Sequence, residues 1–229
     1  MEPRMNQAEL LQQAPAGNLK MFRALVTIGT LCALLIVVTF QTTLPIIKRN
    51  KTEALEKAVF KVLPGATQRV TFKKTDTGFE PMTGEVTNEE VVYAGFDDNH
   101  HLIGVAIEAS GQGFQDVLNI LYGYSLEKQE VIGFYVLESR ETPGLGDKIN
   151  KDEGFLNNFK ALDVSLDDTQ QAVKNPVEPV KHGTKVNDWQ IDCITGATIS
   201  SKAVGNIIKD STQYWCPLIY ANKDSFKKE

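Results

Sequence analysis

The chain has 229 residues, of which 23% are charged and 42% apolar, and its formal net charge is -5 at pH 7. That length accommodates one globular domain plus an anchor, and the balance of charged to apolar residues argues against extended disorder. No Lys/Arg cluster interleaved with aromatics is present to track phosphates, and the net negative charge points the same way, so no nucleic-acid partner is expected.

Residues 1–20 are polar and carry Pro3, Pro15 and Gly17, the composition of a short disordered lead. From Ala24 to Ile47 the sequence "ALVTIGTLCALLIVVTFQTTLPII" contains no charge. As a helix these residues would reach about 36 Å, enough for a hydrocarbon core of about 30 Å. Residues 21–47 are therefore assigned to a single transmembrane helix, with membrane lipid as its surroundings. The rival reading is a cleaved signal peptide, whose apolar region would be shorter and would end at a small-x-small site. Arg4, Lys20 and Arg23 precede the charge-free run, and Lys48, Arg49 and Lys51 follow it. Counting basic flanks thus leaves the orientation open. No acidic or basic residue lies between Ala24 and Ile47 to relay an ion.

Residues 48–229 form the folded domain. The stretch 51–63, "KTEALEKAVFKVL", puts Leu55, Ala58, Val59 and Val62 on one face and predicts an amphipathic helix ending at Pro64-Gly65. Strands are predicted over 90–96, 102–109, 119–126 and 131–137, the last two joined by a hairpin turn at 127–130. A short helix is predicted around 152–159. A second helix begins near Ile199, where Ile199, Ala203 and Ile207 recur at helical spacing beside Val204 and Ile208. The fold class is α+β: a single N-terminal transmembrane helix, then one domain with a largely antiparallel sheet flanked by helices. There is no G-x-G-x-x-G and no βαβ alternation to support a dinucleotide fold.

Cys32, Cys193 and Cys216 are scattered without a C-x-x-C pair, and His100, His101 and His182 lack zinc-type spacing, so no metal site is expected. Cys193 and Cys216 read as buried free thiols, with a disulfide as the alternative. A hydrolase using Ser or Thr would need a histidine base at recognisable spacing, and none is found. No catalytic acid, base or nucleophile is assigned.

The most informative stretch is "IDCITGATIS", residues 191–200. A helix starting near Ile199 would place Thr198 at its N-terminus, where free N–H groups and the positive dipole end favour a phosphate. Gly196 and Ala197 keep bulk away from the backbone there. The plain alternative is that Thr198 caps the helix, typically worth ~1 kcal/mol. Asp192, Thr195, Gly196, Ala197 and Thr198 match the D-x-x-[S/T]-G-A-[S/T] pattern read by flavin transferases, which move FMN from FAD onto a protein hydroxyl. The chain carries an internal control: "PGAT" at 64–67 shares Gly-Ala-Thr, but Lys61 stands where Asp192 does and Pro64 where Thr195 does. Thr67 is accordingly expected to stay bare.

Anchor, size, "ESRETPGLGDKI" (138–149) and "TGATIS" (195–200) together resemble the G subunit of the Rnf ion-translocating electron-transport complex. The same flavin-binding domain occurs in the C subunit of the sodium-translocating NADH:quinone reductase. The resemblance implies covalent FMN, joined by a phosphodiester to Thr198, with Asp192 serving flavin-transferase recognition. It also implies a bacterial inner-membrane protein with its N-terminus in the cytoplasm and its domain in the periplasm. Its partners would be the other membrane and iron–sulfur subunits of the complex, and a flavin transferase during maturation. In that role the chain is an electron-carrier subunit of a translocase and is not catalytic alone.

The resemblance places Glu141, Thr142, Leu145 and Gly146 beside the flavin, together with Thr195, Gly196 and Ala197; read alone, Pro143-Gly144 is a structural turn. Gly111-Gln112-Gly113-Phe114 reads as a glycine bulge, with a flavin contact as the alternative. Ser200, Ser201 and Lys202 either touch the phosphate or form a solvated first turn. Two other readings stand beside the main one: the C subunit of the quinone reductase, and a membrane-tethered binding or assembly module without flavin.

Overall fold

The computed structural model describes residues 18–82, 84 and 90–226; most of the polar lead at 1–20 lies outside the described residues. The chain divides into two units at Thr52/Glu53. Helix α1, Asn18–Val62, is continuous, where the sequence predicts a span ending at 47 and a separate helix from 51. The run Ile46–Lys51 holds neither glycine nor a turn-forming pair, so the switch from apolar to charged residues leaves the helical backbone intact. Pro45 lies inside the helix, where it removes one N–H donor. The hydroxyls of Thr42 and Thr43 bond back to the Val38 and Thr39 carbonyls one turn before it.

In the first unit, the apolar side chains of α1 are exposed on every side, Leu25, Leu31, Leu35 and Ile36 among them. A helix apolar all round is one that lipid or protein must cover. Among the described residues this is the one helix long and apolar enough to cross a membrane.

The second unit is built on a seven-stranded antiparallel sheet in the order β2-β1-β3-β4-β5-β6-β7. Its strands are β1 Gln68–Thr75, β2 Gly78–Met82, β3 Val91–Phe96, β4 Leu102–Gln112, β5 Val117–Ser125, β6 Glu130–Glu138 and β7 Leu162–Asp163. β3 to β6 stand where apolar alternation predicted strands, and β5 and β6 are joined by the expected hairpin. Alternation also sorts the side chains between two faces. Tyr93, Ala106 and Leu121 meet Ala58, Val59 and Val62 from the last turns of α1. Val92, Val105, Ile107, Ile120 and Tyr122 meet the C-terminal helix on the other face.

Helix α2, Glu153–Asn157, starts at Asp152, whose carboxylate accepts from Phe155 N at 2.9 Å, and a 3-10 turn Asn158–Lys160 continues it. β8 Glu178–Val180 and β9 Gln190–Asp192 form a small separate parallel pair. Helix α3, Thr198–Ala221, buries Val204, Ile207, Ile208, Trp215, Cys216 and Ile219. Ile199 departs from expectation: its spacing suggested the buried face, yet it is 59% exposed. Cys193 and Cys216 are separate, buried free thiols, and burial pushes both thiols above their ordinary range.

Candidate functional site

Three segments far apart in sequence converge where α3 begins: the β4–β5 turn at 113–116, the loop 139–151 after β6, and the run 192–200 that leads from the end of β9 into α3. Glu141 ties them together. It is only 5% exposed. Its Oε1 accepts from Gln115 N at 3.0 Å, and its Oε2 accepts from the Ser200 hydroxyl. Gly113 and Gly146 leave the room this needs, since a Cβ on either would stand 2.5 Å from a Glu141 carboxylate oxygen. A buried carboxylate whose oxygens both accept hydrogen bonds is compensated in place. Glu141 therefore faces inward as a positioning group, and Gly146 serves the close packing of that carboxylate.

The loop after Glu141 turns outward. Leu145 N donates to Thr142 O at 3.1 Å, and Gly144 N donates to Asp147 Oδ1 at 2.6 Å. Lys151 Nζ donates to Asp147 Oδ2 at 2.7 Å; this bond, reinforced by Gly144 N, holds the Asp147 carboxyl below its ordinary range. Thr142 Oγ1 donates to Gln115 Oε1 at 3.1 Å. With its proton so used, the hydroxyl has only acceptor capacity left. Leu145 is 52% exposed at the tip of the turn.

Asp192 is held from two sides. Asn158, itself buried, clamps the backbone: its Oδ1 accepts from Asp192 N at 3.1 Å and its Nδ2 donates to Asp192 O at 3.2 Å. The Asp192 carboxylate accepts from Gly183 N at 2.7 Å and pairs with His182 Nδ1 at 3.3 Å. Beyond it, Gly196 turns the chain at a φ of 81°, the left-handed region that glycine enters without steric cost. Ala197 is the residue flanking α3 and makes no side-chain capping bond.

Thr198 does not cap the helix. It is the first helical residue, and its Oγ1 donates backward to Ile194 O at 3.2 Å. Thr195, Gly196 and Thr198 are exposed, whereas Ala197 is buried. Ser200 and Ser201, read from sequence as phosphate contacts or a solvated turn, are neither. Both are buried: Ser200 bonds Glu141, and Ser201 Oγ donates to Ala197 O at 2.9 Å while accepting from Ile194 N at 3.2 Å. Only Lys202 of that trio is exposed.

One residue of the site is not singled out by the sequence. Lys148, within the quoted "ESRETPGLGDKI", brings its Nζ beside Gly196. Phe114 is 60% exposed and, with Leu145 and Ile199, supplies large apolar side chains on the segments that Glu141 joins.

The fold and site thus combine an anchored α+β domain with an exposed threonine at an uncapped helix mouth, and residues 113–213 match the FMN-binding domain family. That range contains all three convergent segments. The chain is 30% identical over 200 residues to the G subunit of the ion-translocating oxidoreductase complex of Methanosarcina acetivorans, covering 85% of this chain and 93% of that protein. It is 32% identical over 115 residues to the G subunit of the same type of complex in Shewanella piezotolerans, covering 49% of each. The chain belongs to the family of G subunits of ion-translocating oxidoreductase complexes. Among solved structures, the NqrC protein of Shewanella oneidensis superposes with a TM-score of 0.55 at 18% identity, covering 78% of this chain and 96% of that one. The C subunit of the Na(+)-translocating NADH-quinone reductase of Parabacteroides distasonis superposes equally well, at 0.55 and 19% identity, covering 79% and 96%. At that identity the likeness is one of fold.

Proposed function

We propose that this chain is a membrane-anchored electron carrier that holds FMN through a phosphodiester on Thr198 Oγ. It relays electrons inside an Rnf-type complex that couples exchange between NADH and ferredoxin to ion movement. The observation that carries the reading is the exposed residue Thr198 at the uncapped start of α3, six residues after a carboxylate locked in place, within Asp192-x-x-Thr195-Gly196-Ala197-Thr198.

The site's residues fit the group. Free N–H groups at a helix start favour a phosphoryl group, and the Gly196 turn leaves its approach open. Leu145, Phe114 and Ile199 offer apolar surface for a flat ring, and Thr142 Oγ1 an acceptor for a ring N–H. Attachment replaces the AMP half of FAD by Thr198 Oγ on the FMN phosphorus, with AMP and the hydroxyl proton released in a flavin transferase. Asp192 is the carboxylate that enzyme reads. Once bound, FMN supplies the one- and two-electron chemistry, and the protein supplies placement and electrostatics. Glu141 holds the three segments in register, and the covalent bond prevents loss of the cofactor to dilute surroundings. In this reading α1 crosses a bacterial inner membrane with residue 1 on the cytoplasmic side and the domain in the periplasm. The electron partners are iron–sulfur and membrane subunits of the complex.

Intact mass of the chain, extracted from cells that contain a flavin transferase, tests the reading. A mass raised by one FMN less water, mapped to the peptide holding Thr198, is expected. An unshifted mass would falsify it and favour a flavin-free binding or assembly module.

A further inference from the structure

We infer that Lys148 is the counter-cation of the phosphoryl group on Thr198, an assignment that rests on the flavin attachment proposed above. Lys148 belongs to the 3-10 turn Gly146–Asn150 and is half-buried. A Cβ placed on Gly196 would stand 3.9 Å from Lys148 Nζ, which among the described residues is the one heavy atom beyond the turn itself within 4 Å of that point. The ammonium thus lies across the open side of the turn that leads into Thr198.

The carboxylates of the site are committed elsewhere. Asp147 takes Lys151 Nζ and Gly144 N. Asp192 takes Gly183 N and His182 Nδ1. Glu141 takes Gln115 N and the Ser200 hydroxyl. Lys148 has no carboxylate partner among the described residues. An ammonium and the positive end of a 24-residue helix therefore flank the same turn, and no carboxylate of the described residues pairs with that ammonium, an arrangement of like sign that costs free energy. Ester formation turns the neutral Thr198 hydroxyl into a group bearing one negative charge, and that charge falls between the two positive ones. A charge-assisted contact of this kind orients the phosphodiester and gives the turn a reason to be left open.

Lys148 then links cofactor attachment to stability. The full chain in detergent is prepared bare, without flavin transferase, and flavinylated, with it. Thermal midpoints of the two forms are compared at low and high salt for wild type, Lys148→Gln and Lys148→Arg, with intact mass read on every sample. Wild type and Lys148→Arg are expected to gain in midpoint on flavinylation, with the gain shrinking as salt rises. Lys148→Gln is expected to lose most of that gain and its salt dependence while still carrying flavin. If Lys148→Gln instead folds as wild type but takes up flavin about tenfold less well, with Lys148→Arg restored, the same contact is acting during attachment. Flavinylated Lys148→Gln with the full wild-type gain overturns the assignment, as does a wild type that gains nothing on attachment. An unshifted mass in wild type removes the attachment reading, and the role of Lys148 with it.

Discussion

Gly-Ala-Thr occurs twice in this chain, and the two copies lie at opposite poles of helices. Gly65-Ala66-Thr67 comes after the C-terminal end of α1, and Gly196-Ala197-Thr198 opens the N-terminal end of α3. The local geometry is alike: Gly65 and Gly196 both take positive φ, 94° and 81°, and both threonines are exposed. The continuations differ. Thr67 N donates to Phe96 O at 2.8 Å and leads into strand β1, whereas Thr198 starts a helix. An anion on Thr67 would face the carbonyl end of a helix, and one on Thr198 would face free N–H groups. Six residues upstream, Lys61 lies over the Tyr135 ring at 4.4 Å, while Asp192 is clamped by Asn158 and the His182-Gly183 turn. A tripeptide does not make a site; its place on a helix and the carboxylate before it do.

The largest expected effect breaks this comparison outright. Thr198→Ala should abolish flavin fluorescence in a denaturing gel, and Thr67→Ala should leave it unchanged. Fluorescence surviving in Thr198→Ala would place the link elsewhere. Asp192→Lys, which gives the second copy the upstream residue of the first, should lower flavin incorporation at least about tenfold, equivalent to about 1.4 kcal/mol of recognition. Incorporation is read as the flavinylated fraction by intact mass, and a fraction matching wild type would mean that Asp192 is not what the transferase reads.

The parts of the molecule legible in the sequence are those whose signals are local. The 24-residue charge-free run and the alternation in β3 to β6 are properties of neighbouring residues, and the predicted strands end within one or two residues of the observed ones, apart from β4, which runs on from 109 to Gln112. β1 was missed because "QRVTFKKT" mixes lysines with apolar residues on a mostly half-buried strand. β2, "GFEPM", carries Pro81 and stands at the sheet edge, where proline is tolerated and the strand signal is weak. β8 and β9 are three residues each and exist through their pairing with one another. In the site, the motif from Asp192 to Thr198 was visible as a pattern. The Glu141 latch was not, since its partners lie 26 and 59 residues away and no periodicity announces such a contact.

A smaller effect tests the latch, which the Thr67 copy lacks. Glu141→Ala would leave the buried Ser200 Oγ without its acceptor, and leaving a buried donor unmet costs about 1–3 kcal/mol. Denaturant unfolding should show that loss as a lower midpoint with unchanged slope. Flavin should still be attached through Thr198, but with lower fluorescence anisotropy, because the Leu145 loop is no longer held against α3. Unchanged anisotropy would mean that the ring does not depend on this loop.

The smallest effect concerns the outer part of the same loop. Asp147 has its carboxyl depressed by the Lys151 ammonium and by Gly144 N. A group whose folded-state pKa lies below its unfolded value contributes stability that is complete above the unfolded value, about 3.9 for Asp, and that is lost as pH falls through the folded value. The Pro143-Gly144 turn should therefore be tight at neutral pH and loosen only in acid below about pH 4. Hydrogen exchange at Gly144 N–H, corrected for its intrinsic pH dependence, should show protection disappearing in that range. Asp147→Asn should remove the pH dependence of that protection while leaving exchange in β5 and β6 as it was. Protection that persisted to about pH 2 in the wild type, well below the unfolded Asp value, would mean that the turn is held by Leu145 N bonding to Thr142 O, with the carboxylate as a bystander.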